Sequence, residues 1–259
     1  MLPVSRRKII GDILMEKKSV SVAFLAEQLS VTEETIRRDL TLLDQEGILV
    51  KTHGGAYIDD GLRPVGGASA RPIEFLEQKQ VIAALAKELI KNEDSVFLDS
   101  SSYAEVLARE LTNINLTVLT NSLRIINILS NRPGIKLIAL GGSYSREFDS
   151  FVGNNCSKAI NGYFANKFFF SCDTIDFELG LTDTDERVAE IKRNMLEHSS
   201  EAYLLVDSSR YDKPSLVELF DPSLLTGIVT DAKPPDEWKT HFDQNNVSVY
   251  TPKKAKTKQ

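Results

Sequence analysis

The stretch "LAEQLSVTEETIRRDLTLLDQEGILVKTHGGAY", residues 25–57, sets two adjacent arginines on a short amphipathic segment and follows them with a lysine, a histidine and a double glycine. At about 100° per residue, Ile36, Leu40 and Leu43 share one helical face, Glu34, Arg38, Thr41 and Gln45 the opposite one, and Arg37 lies to the side. The helix start is marked by Thr32, or by Ser30 with Glu33 three residues on as a capping box. Beyond Gly47, the run "ILVKTHGGAYI" is β-rich on both sides of Gly54-Gly55 and reads as a hairpin. Upstream, Ile9, Ile10, Ile13 and Leu14 recur at helical spacing, as do Val22, Leu25, Ala26 and Leu29. Three short helices and a hairpin predict a winged helix-turn-helix over residues 1–58.

The arginines have two readings. Glu33–Arg37 and Glu34–Arg38 are i, i+4 pairs that would merely decorate a solvated face, each worth about 0.2–0.5 kcal/mol. The helix and tight turn of "LAEQLSV" instead make this the second helix of a helix-turn-helix, the element that enters the DNA major groove. There, arginine's planar fork bonds guanine O6 and N7 together or grips phosphate. The hairpin brings Lys51 and His53 beside the helix, and Gly54-Gly55 lets the backbone turn tightly or approach a phosphate closely.

Charge limits this reading. The 259-residue chain carries a formal net charge of −6, so any nucleic-acid role rests on a local cluster. Within 1–58, Arg6, Arg7, Lys8, Lys17, Lys18, Arg37, Arg38 and Lys51 are balanced by Asp12, Glu16, Glu27, Glu33, Glu34, Asp39, Asp44 and Glu46. One copy should bind DNA modestly, and two or more copies are needed for tight binding, hence a homo-oligomer. Cys156 and Cys172 lack metal spacing and read as buried thiols; His198 and His241 lack ligand partners at recognisable spacing, so neither metal nor cofactor is expected. No apolar run approaches the length of a membrane span and the N-terminus lacks a signal-peptide pattern, which places the chain in the cytoplasm.

Residues 59–72 lose apolar periodicity and fill with Gly, Pro, Ala and Ser, as linkers do. Over 73–252, the runs "SVFLD", "LTVLT", "KLIAL", "KFFFS", "AYLLVD", "GIVTD" and "SVYT" alternate with helical segments such as 73–91, 103–111, 122–130 and 186–198. The fold class is therefore α/β, a winged helix-turn-helix followed by a mostly parallel, Rossmann-like sheet with helices on both faces. Residues 253–259 read as a disordered tail. Several strands end in small polar residues, and ligands of open parallel sheets bind at the carboxyl ends of strands. In "DSSSYAEVLAREL" the serines either offer hydroxyls and helix N-terminal amides to a phosphate or simply cap the helix.

The segment from Leu25 to Tyr57, with its "TIRRDL" helix and "HGGA" wing, resembles the N-terminal signature of the DeoR family of bacterial transcriptional repressors. The resemblance implies operator DNA binding through Thr32, Glu34, Thr35, Arg37 and Arg38, with Lys51, His53 and Gly54 in the wing. The later motifs "FLDSSS", "TNSL", "LGGS", "FVG", "CDTID", "GLT", "KRNM" and "VDSSR" resemble the family's C-terminal half, which is similar to the sugar-phosphate isomerase fold. That implies a phosphorylated sugar effector. Its phosphate would lie on Ser100, Ser101, Ser102 and Tyr103 and on Gly141-Gly142. Asp99, Asn121, Asp173 and Asp176 would read hydroxyls, and Lys192 and Arg210 would complete the site. The chain departs from the family's Gly-Thr-Thr turn at Ser101-Ser102-Tyr103, has Thr174 after Asp173 where the family's Gly-Ile-Asp begins with glycine, and carries Arg210 in place of a lysine. These departures suit a different or weakened effector.

An isomerase-like enzyme is the alternative. It would need a carboxylate base and donors for an enediolate, for which Asp173, Asp176, Glu190 and Lys192 are the candidates. Glu190 and Lys192, however, fall on the solvated face of a mixed-charge helix with Val188, Ile191 and Met195 inward. A DNA-binding activator or architectural protein without an effector would leave the row of polar strand ends without a purpose. The sequence thus points to a repressor of a carbohydrate-utilisation operon.

Overall fold

The computed structural model describes residues 6–7, 9–11, 13–14, 19–45, 49–52, 54–57, 74–212 and 214–252. The expected linker, the terminal tail and His53 lie outside the described residues. The chain divides into two compact units, Met1–Arg63 and Pro64–Gln259. Among the described residues no helix is long and apolar enough to cross a membrane.

In the first unit, helical backbone at residues 6–7, 9–11 and 13–14 (α1) precedes strand β1 (Ser19–Ser21), helix α2 (Val22–Leu29), helix α3 (Glu33–Gln45), and strands β2 (Val50–Lys51) and β3 (Gly55–Tyr57). Ser21 caps α2 by accepting from the Phe24 amide, and Ser30 closes it in the left-handed conformation. Ile10, Leu14, Val22, Leu25, Leu29, Ile36, Leu40, Leu43 and Leu49 form the core, so the helical periodicities point where they were expected to. The wing is larger than a hairpin. β3 pairs antiparallel with β2 and also with β1, through Ser19–Tyr57 and Ser21–Gly55. The close pass of β1 explains one glycine: a Cβ on Gly55 would stand 2.1 Å from the Val20 carbonyl oxygen, whereas the space before Gly54 is open.

The second unit is built on seven parallel strands in the order β15-β14-β12-β9-β4-β5-β6. They are β4 (Ser95–Leu98), β5 (Leu116–Thr120), β6 (Ile135–Ala139), β9 (Ala165–Phe170), β12 (Ser199–Leu205), β14 (Gly227–Val229) and β15 (Ser248–Tyr250), the seven runs picked out in the sequence. Helix α4 (Glu74–Glu88) and α5 (Ser102–Glu110) pack against each other and against β9, β12 and β14. Side chains alternate across the pleat. Phe97, Phe168, Phe170, Leu204 and Ile228 therefore face a second core. It is completed by Ile160 of α7 (Asn154–Ile160), Ile191 and Met195 of α8 (Glu186–Glu197), and Trp238 and Phe242 of α9 (Asp236–Gln244). Burying each such aromatic is worth about 1.5–3 kcal/mol. With α6 (Leu123–Leu129) beside α5, both faces are covered, which is why "KFFFS" runs apolar without alternation.

Two antiparallel elements sit beyond the sheet. β7 (Ser143–Ser145) and β8 (Ser150–Val152) form a hairpin, and β10 (Thr174–Asp176), β11 (Gly180–Asp183) and β13 (Val217–Phe220) form a three-stranded sheet. The order of the seven strands reverses at β4, whose neighbours β5 and β9 lead away in opposite directions. A crevice opens at such a reversal, beyond the carboxyl ends of the strands. For the first unit, Gly55→Ala should cost at least about 1–3 kcal/mol through overpacking against β1. Calorimetry should show that loss confined to the unit's own transition; an unchanged profile would contradict the close pass at Val20.

Candidate functional site

The surface of the first unit expected to meet DNA begins at Thr32, whose Oγ1 accepts from the Thr35 amide at 3.3 Å and lies 2.9 Å from the Thr35 hydroxyl. Glu34, Arg37 and Arg38 are exposed on α3. Arg37 donates to Glu33 at 2.6 Å, while Arg38 and Glu34 stand 3.6 Å apart with side chains 80% and 65% exposed. Both i, i+4 pairs thus exist, and both are of the exposed kind that yields readily to a stronger anion. Lys51 Nζ donates to Thr41 Oγ1 at 2.6 Å, and Thr41 Oγ1 donates on to the Arg37 carbonyl at 2.7 Å, so the wing is bonded to α3. Gly54 is exposed. A buried pair not foreseen in the sequence, Arg6 Nε to Asp39 Oδ2 at 2.5 Å, ties α1 to α3.

The crevice of the second unit gathers residues from four strand ends. Asp99, just past β4, is 1% exposed; its carboxylate accepts from the Ser101 hydroxyl at 2.5 Å, the Ser101 amide at 3.1 Å and the Ser171 amide at 3.2 Å. Ser101 also accepts from the Ala104 amide at 3.2 Å, so this serine does cap α5. Ser100 and Ser102 flank it, half-buried. Tyr103 is buried, and its hydroxyl donates to Asp207 beyond β12 while the Lys79 ammonium lies 5.3 Å from its ring centroid. Asp207 also accepts from Ser209, and Arg210 joins Asp207 at 3.5 Å to Asp173 at 3.0 Å.

Lys192 corrects the reading of α8 as a solvated face. It is 5% exposed and its ammonium donates to the Ser171 carbonyl at 2.7 Å and to Asp183, with Asp99 3.6 Å away. Helical periodicity sees only neighbours on the same helix, and the carboxylates that receive this lysine come from β4 and β11. Glu190 is exposed as expected and accepts from Ser157 at 2.7 Å. Asp183 and Asp207 are central here yet absent from the residues expected. The available signal was their position at strand ends, in "GLTD" and "VDSSR".

Electrostatics follow from burial and pairing. Burial raises the Asp99 carboxyl above its usual range, against the pull of Lys192. Burial alone would depress Lys192, but Asp183 and Asp99 together hold it above its ordinary value. Burial would raise Asp207, yet bonds from Ser209 and Tyr103 leave it lowered. Burial pushes the thiols of Cys156 and Cys172 up to about 12, so both are inert, as expected of core cysteines.

The remaining expected residues divide. Asn121, past β5, is buried; its amide donates to the Phe151 carbonyl at 2.8 Å and its Oδ1 has no hydrogen-bond partner among the described residues. Gly141 is exposed with open space before it, whereas a Cβ on Gly142 would meet the Val152 carbonyl oxygen at 2.8 Å, which gives that glycine a packing role. Asp176 closes its own β10–β11 turn by accepting from the Glu178 and Leu179 amides at 2.9 and 3.1 Å. It is not brought into the Asp99–Lys192 network.

A winged helix-turn-helix on the same chain as a doubly wound sheet with a charged switch-point crevice defines a DNA-binding regulator with a sensor unit. The match to family models agrees: the DeoR-like helix-turn-helix domain covers residues 6–61 and the DeoR C terminal sensor domain residues 74–232. The chain belongs to the DeoR family of transcriptional regulators. The L-fucose operon activator of Haemophilus influenzae is 34% identical over 243 residues, 93% of this chain and 97% of that one. The lactose phosphotransferase system repressor of Staphylococcus epidermidis is 31% identical over 225 residues, 86% of this chain and 89% of its own. Among solved structures, ribose 5-phosphate isomerase A of Methanocaldococcus jannaschii is similar over 53% of this chain and 55% of that one, at 17% identity and a TM-score of 0.40.

Lys192→Met should cost about 3–5 kcal/mol in urea unfolding, because it strands two buried carboxylates. A solvated lysine would cost under about 0.5 kcal/mol, and that result would remove Lys192 from the crevice.

Proposed function

We propose that this regulator is a cytoplasmic homo-oligomeric repressor of carbohydrate-utilisation genes, released or retained on its operator by a phosphorylated sugar. In this reading α3 enters the major groove with Thr32, Glu34, Thr35, Arg37 and Arg38 at the interface, and Lys51, His53 and Gly54 of the wing lie against the backbone. Arg38 is the better base reader. Its link to Glu34 is loose and its side chain open, whereas Arg37 must first leave a 2.6 Å bond to Glu33. The relatives are named for both activation and repression. Repression is the reading taken here, as in the lactose phosphotransferase system repressor to which the chain is similar.

One observation supports the effector. Among the described residues, Asn121 Oδ1, just past the carboxyl end of β5, is a buried polar atom without a hydrogen-bond partner. Buried polar atoms are normally satisfied, and a polyhydroxylated ligand supplies donors and acceptors together. The phosphate would take the first turn of α5, at Ser100–Tyr103, where the amides and helix dipole favour an anion. Asp99, Asn121 and Asp173 would face the sugar, with Lys192 and Arg210 holding those carboxylates in place. Residues 59–72 connect the sensor to the reader in sequence. The ligand acts only through unequal affinity for the DNA-competent and DNA-incompetent states.

Two tests follow. Arg38→Ala should lower the ratio of operator to random-DNA affinity by about 1–3 kcal/mol. Lys51→Ala should instead weaken all sequences alike and flatten the salt dependence; the reverse pattern exchanges their roles. Separately, fluorescence anisotropy on DNA from the gene's own upstream region, at two salt concentrations and with a panel of sugar phosphates, should find one compound that shifts specific binding. Specific binding indifferent to every compound would refute phosphorylated-sugar control.

A further inference from the structure

We propose that the buried Arg6–Asp39 pair positions the reading helix, fixing the rotation of α3 about its own axis and hence where Arg37 and Arg38 point. Asp39 lies within "TIRRDL", next to both exposed arginines, but is itself 4% exposed, and Arg6 is 8% exposed. The apolar anchors of α3, Ile36, Leu40 and Leu43, hold the helix against the core, but hydrophobic contact is non-directional and tolerates small rotations. The 2.5 Å contact from Arg6 Nε to Asp39 Oδ2 is directional.

A second clamp acts on the far side. Thr41 receives Lys51 at 2.6 Å and is bonded onward to the Arg37 carbonyl. Two residues along a helix, Thr41 and Asp39 are about 160° apart around the axis. One polar contact from α1 and one from the wing therefore oppose each other across α3, an arrangement that resists rotation in either sense.

Stability does not account for the pair, since a buried ion pair is often no more stabilising than apolar residues of similar size. A carboxylate on a DNA-reading helix is also a liability beside phosphates. Arg6 cancels it from the core side without using surface that faces DNA.

The test uses full-length protein carrying Arg6→Met together with Asp39→Leu, which removes one positive and one negative charge. Probes are a duplex selected by the parent protein from a random-sequence library and a scrambled duplex of equal composition. The expected result is an unchanged melting temperature, unchanged affinity and salt slope on the scrambled duplex, and about tenfold weaker binding of the selected duplex. A destabilised domain would lose both duplexes together, and a retained ratio between them would equally overturn the proposal. Should the double variant not fold, Arg6→Lys keeps the charge but loses the planar fork; the selectivity ratio should then fall severalfold, and an unchanged ratio overturns the clamp.

Discussion

The second unit depends on one ammonium group. Lys192 reaches from α8 to the point where β4 and β9 part, and its contacts with Ser171, Asp183 and Asp99 join three strands at their carboxyl ends. A charge this deeply buried is tolerable only when fully paired, and each carboxylate around it is tolerable only because the lysine is there. Asp99 in turn holds Ser101, which starts α5, so the turn from β4 into α5 is set by the same network. Moving any one member of this network would leave another buried charge without its partner.

The first unit solves a different problem. Its acidic and basic residues nearly cancel, so affinity for DNA cannot come from bulk charge and has to come from placement. The exposed arginines sit in weak i, i+4 pairs with Glu33 and Glu34, which keep them extended along the surface and cost little to exchange for phosphate or base. The buried polar contact is kept for a position that no DNA group needs to reach, Arg6 with Asp39 inside, while exposed Lys51 ties the wing to Thr41 of α3.

The legible parts of the sequence are those whose signal is local. The central strands of the parallel sheet could be read because burial on both faces makes them continuous apolar runs, the partly buried edge strands β6 and β15 by their β-rich composition, and α3 because Ile36, Leu40 and Leu43 repeat at helical spacing. Strand β1 escaped notice since three residues with an exposed serine at each end carry no pattern; it exists because β3 is there to pair with. Lys192 was legible as a site residue by resemblance but misread by periodicity. Its helix has the composition of a solvated face, and the partners that bury it are 9 and 93 residues distant in sequence, at Asp183 and Asp99. Gly55 was read as a turn or phosphate glycine, whereas the neighbour that forbids a side chain is the Val20 carbonyl.

Tyr103 shows how a departure from a family pattern can be absorbed. Where the family pattern has a small residue, Tyr103 carries a ring that is buried against Lys79, and its hydroxyl spans to Asp207. Asp207 therefore serves as acceptor for Tyr103 and Ser209 and as counter-ion to Arg210, and its lowered pKa reflects those contacts prevailing over burial. Arg210 fits this arrangement better than lysine, because its Nη1 bonds the Asp173 backbone and side-chain oxygens while its Nε stays 3.5 Å from Asp207. The tyrosine and the arginine meet at one carboxylate: Asp207 accepts from the Tyr103 hydroxyl and lies 3.5 Å from the Arg210 guanidinium. A ligand that displaced the Tyr103 hydroxyl would have to supply Asp207 with a donor in its place.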